Sequence, residues 1–75
     1  MRGRSELEMR VAENLRQLRE EKTLRQKTMA SAIGIKREAY SRLETGKRRL
    51  GLVEGHLAAI VLGVELKDLV ERTPT

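Results

Sequence analysis

Cations make up most of the reactive side chains in this sequence. Its 75 residues hold 16 Lys and Arg against 11 Asp and Glu, a formal charge of +5. Eleven of those cations fall within residues 16–49 (Arg16, Arg19, Lys22, Arg25, Lys27, Lys36, Arg37, Arg42, Lys47, Arg48 and Arg49) against four carboxylates, a net of +7. The first 15 residues cancel at three of each sign, and residues 50–75 carry a net of −2. A basic block of this kind is either well-solvated surface or the electrostatic footprint of a nucleic-acid binder.

Other chemistries are poorly supplied. Cysteine is absent, so no disulfide, thiolate zinc site or iron–sulfur cluster is available. A single His56 leaves no second imidazole for a metal cluster, and no metal or cofactor is expected. Ser5, Ser31 and Ser41 have no histidine base nearby, so an enzyme is not expected. Tyr40 is the one aromatic residue, which weakens any model of single strands stacking on rings. The longest apolar run, Leu57 to Leu62, falls well short of the roughly 18 residues that span a membrane. After Met1-Arg2-Gly3-Arg4, charged residues stand where a signal peptide places its apolar stretch. A soluble cytoplasmic protein is the expectation.

The elements that position these groups read as helices. Ser5-Glu6-Leu7-Glu8 has capping-box spacing, and Leu7, Val11, Leu15 and Leu18 follow as one stripe, which predicts a helix over 5–21. Gln26 to Ile33 reads as a second helix, with Met29, Ala30 and Ile33 inward and Gly34 at its end. Arg37 to Glu44 is a third, ended by Gly46, and Leu52 to Leu62 a fourth, closed by Gly63. Leu66, Leu69 and Val70 suggest a last short helix before Pro74 and a frayed end. No strand pattern or repeat appears, so the expected fold is all-α: five helices in one domain over 1–75. With 39% apolar residues, its core draws on Leu, Val, Ile, Ala and Met. A chain this short buries only about 60% of its unfolded surface and gains from a second copy.

The second and third helices are separated only by Gly34-Ile35-Lys36, a tight Gly-containing turn between short helices, which describes a helix-turn-helix over about 26–44. Small Ala30 permits the close approach, and Ile35 plugs the corner. At this point the sequence resembles the lambda-repressor/Cro-like (XRE-type) helix-turn-helix family. The match runs from about Val11 to Val70 and includes Leu15, Leu18-Arg19-Glu20-Glu21-Lys22, Leu24, Gln26, Ala30, Ile33-Gly34-Ile35, Ser41, Leu43-Glu44, Gly46-Lys47-Arg48, Leu62-Gly63-Val64 and Leu66.

The resemblance implies a partner, double-stranded DNA, and roles for named residues. Gln26 looks like the family's phosphate-gripping glutamine at a helix N-terminus. Arg19 and Glu44 look like a buried ion pair tying the first helix to the end of the third, or else are ordinary surface charges. The third helix becomes the recognition helix, with Arg37, Glu38, Ser41 and Arg42 as base readers. Arg37 and Arg42 suit bidentate contact to guanine, each such pair worth on the order of 1–3 kcal/mol of discrimination. Glu38 either accepts from a cytosine amino group or holds a neighbouring Arg37 or Arg42 in place. Arg25, Lys36, Lys47, Arg48 and Arg49 are expected on phosphates, and Tyr40 is read as an inward-facing core ring whose hydroxyl reaches solvent or a phosphate. Arg42 has the same bland alternative, a phosphate contact alone.

Some positions depart from the family. Arg25 and Lys36 stand where Ser or Thr usually caps the second and third helices, trading about 1 kcal/mol of capping for positive charge. Leu50-Gly51 replaces a common Pro-Ser pair, and Gly55 and His56 occupy positions that are usually apolar, His56 being read as a half-buried packing residue rather than a pH switch.

In the fourth helix Leu52, Ala59 and Leu62 are expected to face inward, while Val53, Leu57, Ile60 and Val61 form a second apolar face. That surplus predicts a homodimer through residues 52–70, with Val53, Leu57, Ile60, Val61 and Val64 at the contact, unless the helix is simply central in a small core. The expected function is a transcriptional regulator that binds a pseudo-palindromic operator as a homodimer, of the repressor or restriction–modification controller type. The alternative is an antitoxin or protein-interaction module with secondary DNA binding. RNA polymerase or a toxin is then a further partner, although the short tail Glu71 to Thr75 leaves little chain to wrap a toxin.

Overall fold

In the computed structural model, which describes residues 5–73, the chain forms α1 (Glu6–Glu21), α2 (Gln26–Ile33), α3 (Arg37–Glu44), α4 (Leu52–Leu62) and α5 (Leu66–Glu71). No strand occurs among the described residues; the limits of α2, α3 and α4 are those expected from sequence, while α1 begins at Glu6 with Ser5 as its cap. The basic start at 1–4 and the terminal Pro74 lie outside the described residues.

Local chemistry sets the ends of these helices. The Ser5 hydroxyl accepts from the backbone N–H of Glu8 at 3.1 Å while the Glu8 carboxylate accepts from the N–H of Ser5 at 3.0 Å. Two otherwise orphaned donors are thereby satisfied, and α1 starts there. At the end of α2, Gly34 adopts φ +78°, and the N–H of Ile35 reaches back to the carbonyl of Ala30 at 3.0 Å. A side chain resists that left-handed angle, so the glycine stops the helix and turns the chain into α3. Thr23 takes φ +58° between α1 and α2 without being glycine, a feature the sequence did not signal.

The five helices close around one core. Leu15 and Leu18 of α1 meet Met29, Ala30 and Ile33 of α2, Tyr40 and Leu43 of α3, Ala58 and Leu62 of α4, and Leu69 of α5. Full burial of each larger apolar side chain contributes on the order of 1.5–3 kcal/mol. In the packing, α2 lies against α3 and α4, α1 against α3 and α5, and α4 against α5. The helix-turn-helix pair is thus backed on both sides.

Three expected core positions differ. Leu7 and Leu52 are exposed, Leu52 by 77%, although each lies on the same side of its helix as buried residues (Leu18 and Asn14 for Leu7, Ala59 for Leu52). Both sit in a first turn, and neither is among the residues packed on the core. His56 is exposed rather than half-buried, because the buried face of α4 is Gly55, Ala58, Ala59 and Leu62.

Candidate nucleic-acid interface

The outward surface of the α2–turn–α3 unit is where the base-reading chemistry gathers. Arg37, Glu38 and Arg42 are exposed along α3, and Ser41 is half-buried between them. At helical spacing these four share one side, opposite the core residues Tyr40 and Leu43. Arg37 and Glu38 approach to 3.9 Å with both side chains more than half exposed, so that contact is weak and readily exchanged for another partner. Of the two expectations for Glu38, the structure displays the pairing with Arg37.

The helix starts are electropositive. Neither Arg25, before α2, nor Lys36, before α3, caps its helix through its side chain. The first-turn N–H groups therefore keep their attraction for an anion, and each has an exposed cation beside it. Lys27, not singled out from sequence, is also exposed. It borders a shallow groove of about 580 Å³ with Ser31, Ile35, Lys36, Arg37 and Glu38. Its place directly after Gln26 was the available signal.

Beneath this surface the expected ion pair forms. Arg19 Nε donates to Glu44 Oε2 at 2.6 Å and Arg19 Nη2 donates to Glu44 Oε1 at 3.2 Å. Side-chain exposure is 13% for Arg19 and 2% for Glu44, so the pair is buried and not surface charge. Arg19 Nη1 also donates to the carbonyl of Leu24 at 2.8 Å, and the hydrogen bonding to Glu44 raises the Arg19 pKa, against its desolvation. Gln26 Nε2 donates to the same carboxylate at 3.0 Å, a contact that sequence reasoning did not foresee.

Tyr40 keeps its expected place in the core, but the reach of its hydroxyl is a correction. Its ring is 0% exposed and its hydroxyl, buried without a hydrogen-bond partner, cannot reach a phosphate. Burial, assisted by the Glu44 charge, pushes its pKa up, so the phenol stays neutral.

The Lys47-Arg48-Arg49 run is more tied down than a phosphate clamp requires. Arg48 grips Glu54 with two hydrogen bonds, at 2.9 and 3.2 Å, and Arg49 Nε lies 2.8 Å from Glu8 Oε2. Lys47 is exposed. The partners of both arginines come from other elements, which no local spacing reveals.

On α4, Val53 and Ile60 are 68% and 61% exposed and Val61 is also exposed, whereas Leu57 and Val64 are half-buried against their own core. The exposed apolar surface therefore gains Leu52 and holds Leu57 and Val64 only in part. Among the described residues, no three His, Cys, Asp or Glu are grouped to hold a metal ion, and no helix is long and apolar enough to cross a membrane.

A helix-turn-helix family model matches residues 15–69. The control protein C.MunI from Mycoplasma sp is 36% identical over 66 residues, spanning 87% of this chain and 89% of that protein. The crystal structure of the restriction-modification controller protein C.AhdI from Aeromonas hydrophila aligns with a TM-score of 0.76 at 33% identity, over 81% of this chain and 92% of that one. The hydroxypropylphosphonic acid epoxidase from S. wedmorenis carries a similar fold, with a TM-score of 0.77 at 28% identity over 85% of this chain. That match takes in only 34% of the epoxidase chain.

Proposed function

The chain belongs to the helix-turn-helix family of DNA-binding transcriptional regulators, and we propose that it binds a pseudo-palindromic operator as a homodimer, in the manner of a restriction–modification controller. The observation that carries the proposal is one surface: exposed Arg37, Glu38 and Arg42 on α3 beside the uncapped, cation-flanked starts of α2 and α3. It supplies base-edge donors and acceptors together with phosphate-binding N–H groups, which specific recognition needs at once.

Within this reading Arg37, Glu38, Ser41 and Arg42 face base edges, while Gln26, Arg25, Lys36 and Lys47 hold phosphates. Arg48 and Arg49 join them only by exchanging their carboxylate partners for DNA. A second copy docks on α4 through Val53, Ile60 and Val61, with Leu57 and Val64 at the margin. The two recognition helices then stand about 34 Å apart, one turn of duplex. The site of action is the cytoplasm, on the nucleoid. C.MunI and C.AhdI, matched along nearly their whole length, favour the controller type. They also favour a regulator over an enzyme, since the epoxidase match leaves most of that chain uncovered.

In vitro selection of bound duplexes tests the proposal. It should return a two-fold symmetric consensus, and Arg37→Ala should relax preference at one base position per half-site by a discrimination of about 1–3 kcal/mol. Retention of randomised DNA as tight as the best selected site would refute it.

A further inference from the structure

We infer that Glu44 is a positioning residue for DNA binding: it turns the Gln26 amide so that a free N–H, not the amide oxygen, faces a backbone phosphate. This rests on the DNA-binding reading above and concerns how that reading's phosphate grip is built.

Three elements meet at the Glu44 carboxylate. It ends α3, takes two hydrogen bonds from Arg19 of α1, and takes one from Gln26, the first residue of α2, at 3.0 Å. An ionised carboxylate only accepts hydrogen bonds, so the Gln26 amide must present its nitrogen to Glu44. The flipped amide would set oxygen against oxygen.

A glutamine amide has two hydrogens on that nitrogen. One is held by Glu44, and the other remains at the start of α2, where no side chain of Arg25 caps the first turn. A phosphate there meets donors only. Without Glu44 the two amide orientations would be nearly equivalent, and one of them presents a repelling oxygen. The carboxylate itself cannot swing away, because Arg19 is anchored to the carbonyl of Leu24 at 2.8 Å. The same contact ties the phosphate grip on α2 to the last turn of the recognition helix.

The test is a cycle of variants binding a duplex of randomised sequence at low salt, with helix content followed by circular dichroism. Gln26→Ala should weaken binding roughly tenfold. Glu44→Gln, whose side chain donates as well as accepts and so lets Gln26 turn over, should weaken it by roughly three- to tenfold. The double variant should match Gln26→Ala alone within roughly twofold. An equal loss from Glu44→Gln in both backgrounds overturns the inference, as does a Gln26→Ala variant that binds normally. A wild type that retains no duplex overturns the DNA-binding reading itself, and the inference with it. Because Glu44→Gln leaves Arg19 beside a neutral partner and can unfold the chain, a second readout uses wild-type protein alone. The Gln26 amide proton held by Glu44 should exchange slowly with water in the free protein, the second should slow only on binding DNA, and exchange of the first as fast as in free glutamine overturns the inference.

Discussion

Arg48 clasps Glu54 across the start of α4, Nη2 to Oε2 at 2.9 Å and Nη1 to Oε1 at 3.2 Å, and the same Oε1 accepts from the backbone N–H of Gly51 at 3.0 Å. One carboxylate thus both closes the first turn of a helix whose N-cap residue is glycine and withdraws a cation from the basic run. A net charge counted from sequence therefore overstates the charge that free protein offers to DNA. Glu54→Gln should release Arg48. Affinity for random duplex should rise at low salt, and the slope of log K against log salt should steepen by up to about 0.9 for one added phosphate contact. An unchanged slope in a salt titration would mean that Arg48 points away from the duplex.

The same carboxyl makes stability depend on pH. Burial pushes its pKa up, but the Gly51 N–H and Arg48 outweigh burial and leave it lowered from 4.5. A group depressed in the folded state stabilises the fold above its unfolded pKa and loses that contribution as pH falls through the folded value. Wild type should therefore melt above Glu54→Gln at neutral pH, and the gap should close as pH drops below 4.5. Melting curves between neutral pH and about pH 3 read this directly; a gap that widens in acid contradicts the geometry.

Tyr40 offers a test in the opposite direction. Its buried hydroxyl makes no close hydrogen bond and lies beside the Glu44 carboxylate, so removing it relieves a desolvated dipole at the loss of one weak electrostatic contact. Tyr40→Phe should melt within about 1 kcal/mol of wild type, or above it, and bind DNA unchanged. Calorimetry and a binding isotherm suffice. Loss of affinity without loss of stability would restore the phosphate role that the burial of the ring denies.

Much of the fold was legible because its signals are local. Helical periods, the Ser5 box and the glycines after α2, α3 and α4 lie within a few residues of what they control. What stayed hidden depends on residues far apart in the chain. Asn14 is fully buried on α1, where its amide donates to the carbonyls of Leu69 at 3.0 Å and Arg72 at 2.7 Å and closes the end of α5. Nothing near Asn14 announces that α5 will arrive there. Arg49 with Glu8, and Gln26 with Glu44, are hidden for the same reason. The Arg19–Glu44 pair was reached only through resemblance. The exposure of Leu7 and Leu52 marks the converse limit: period tells which side a residue faces, not whether anything covers it.

The α4 surface is where that limit bears on function. Val53 and Ile60 lie two helical turns apart on the same side and are both mostly exposed, so they cost apolar hydration in a monomer. Because neither belongs to the core, a charge placed there should leave the monomer fold nearly intact. Ile60→Lys should therefore keep its helix content and melt within about 1 kcal/mol of wild-type monomer. At micromolar concentration it should sediment as one chain, where wild type sediments as two. Operator affinity should then fall far more than affinity for random duplex, because specific binding needs both half-sites on one assembly. If wild type already sediments as a single chain, the dimer is wrong. If Ile60→Lys stays dimeric, the contact lies on another face.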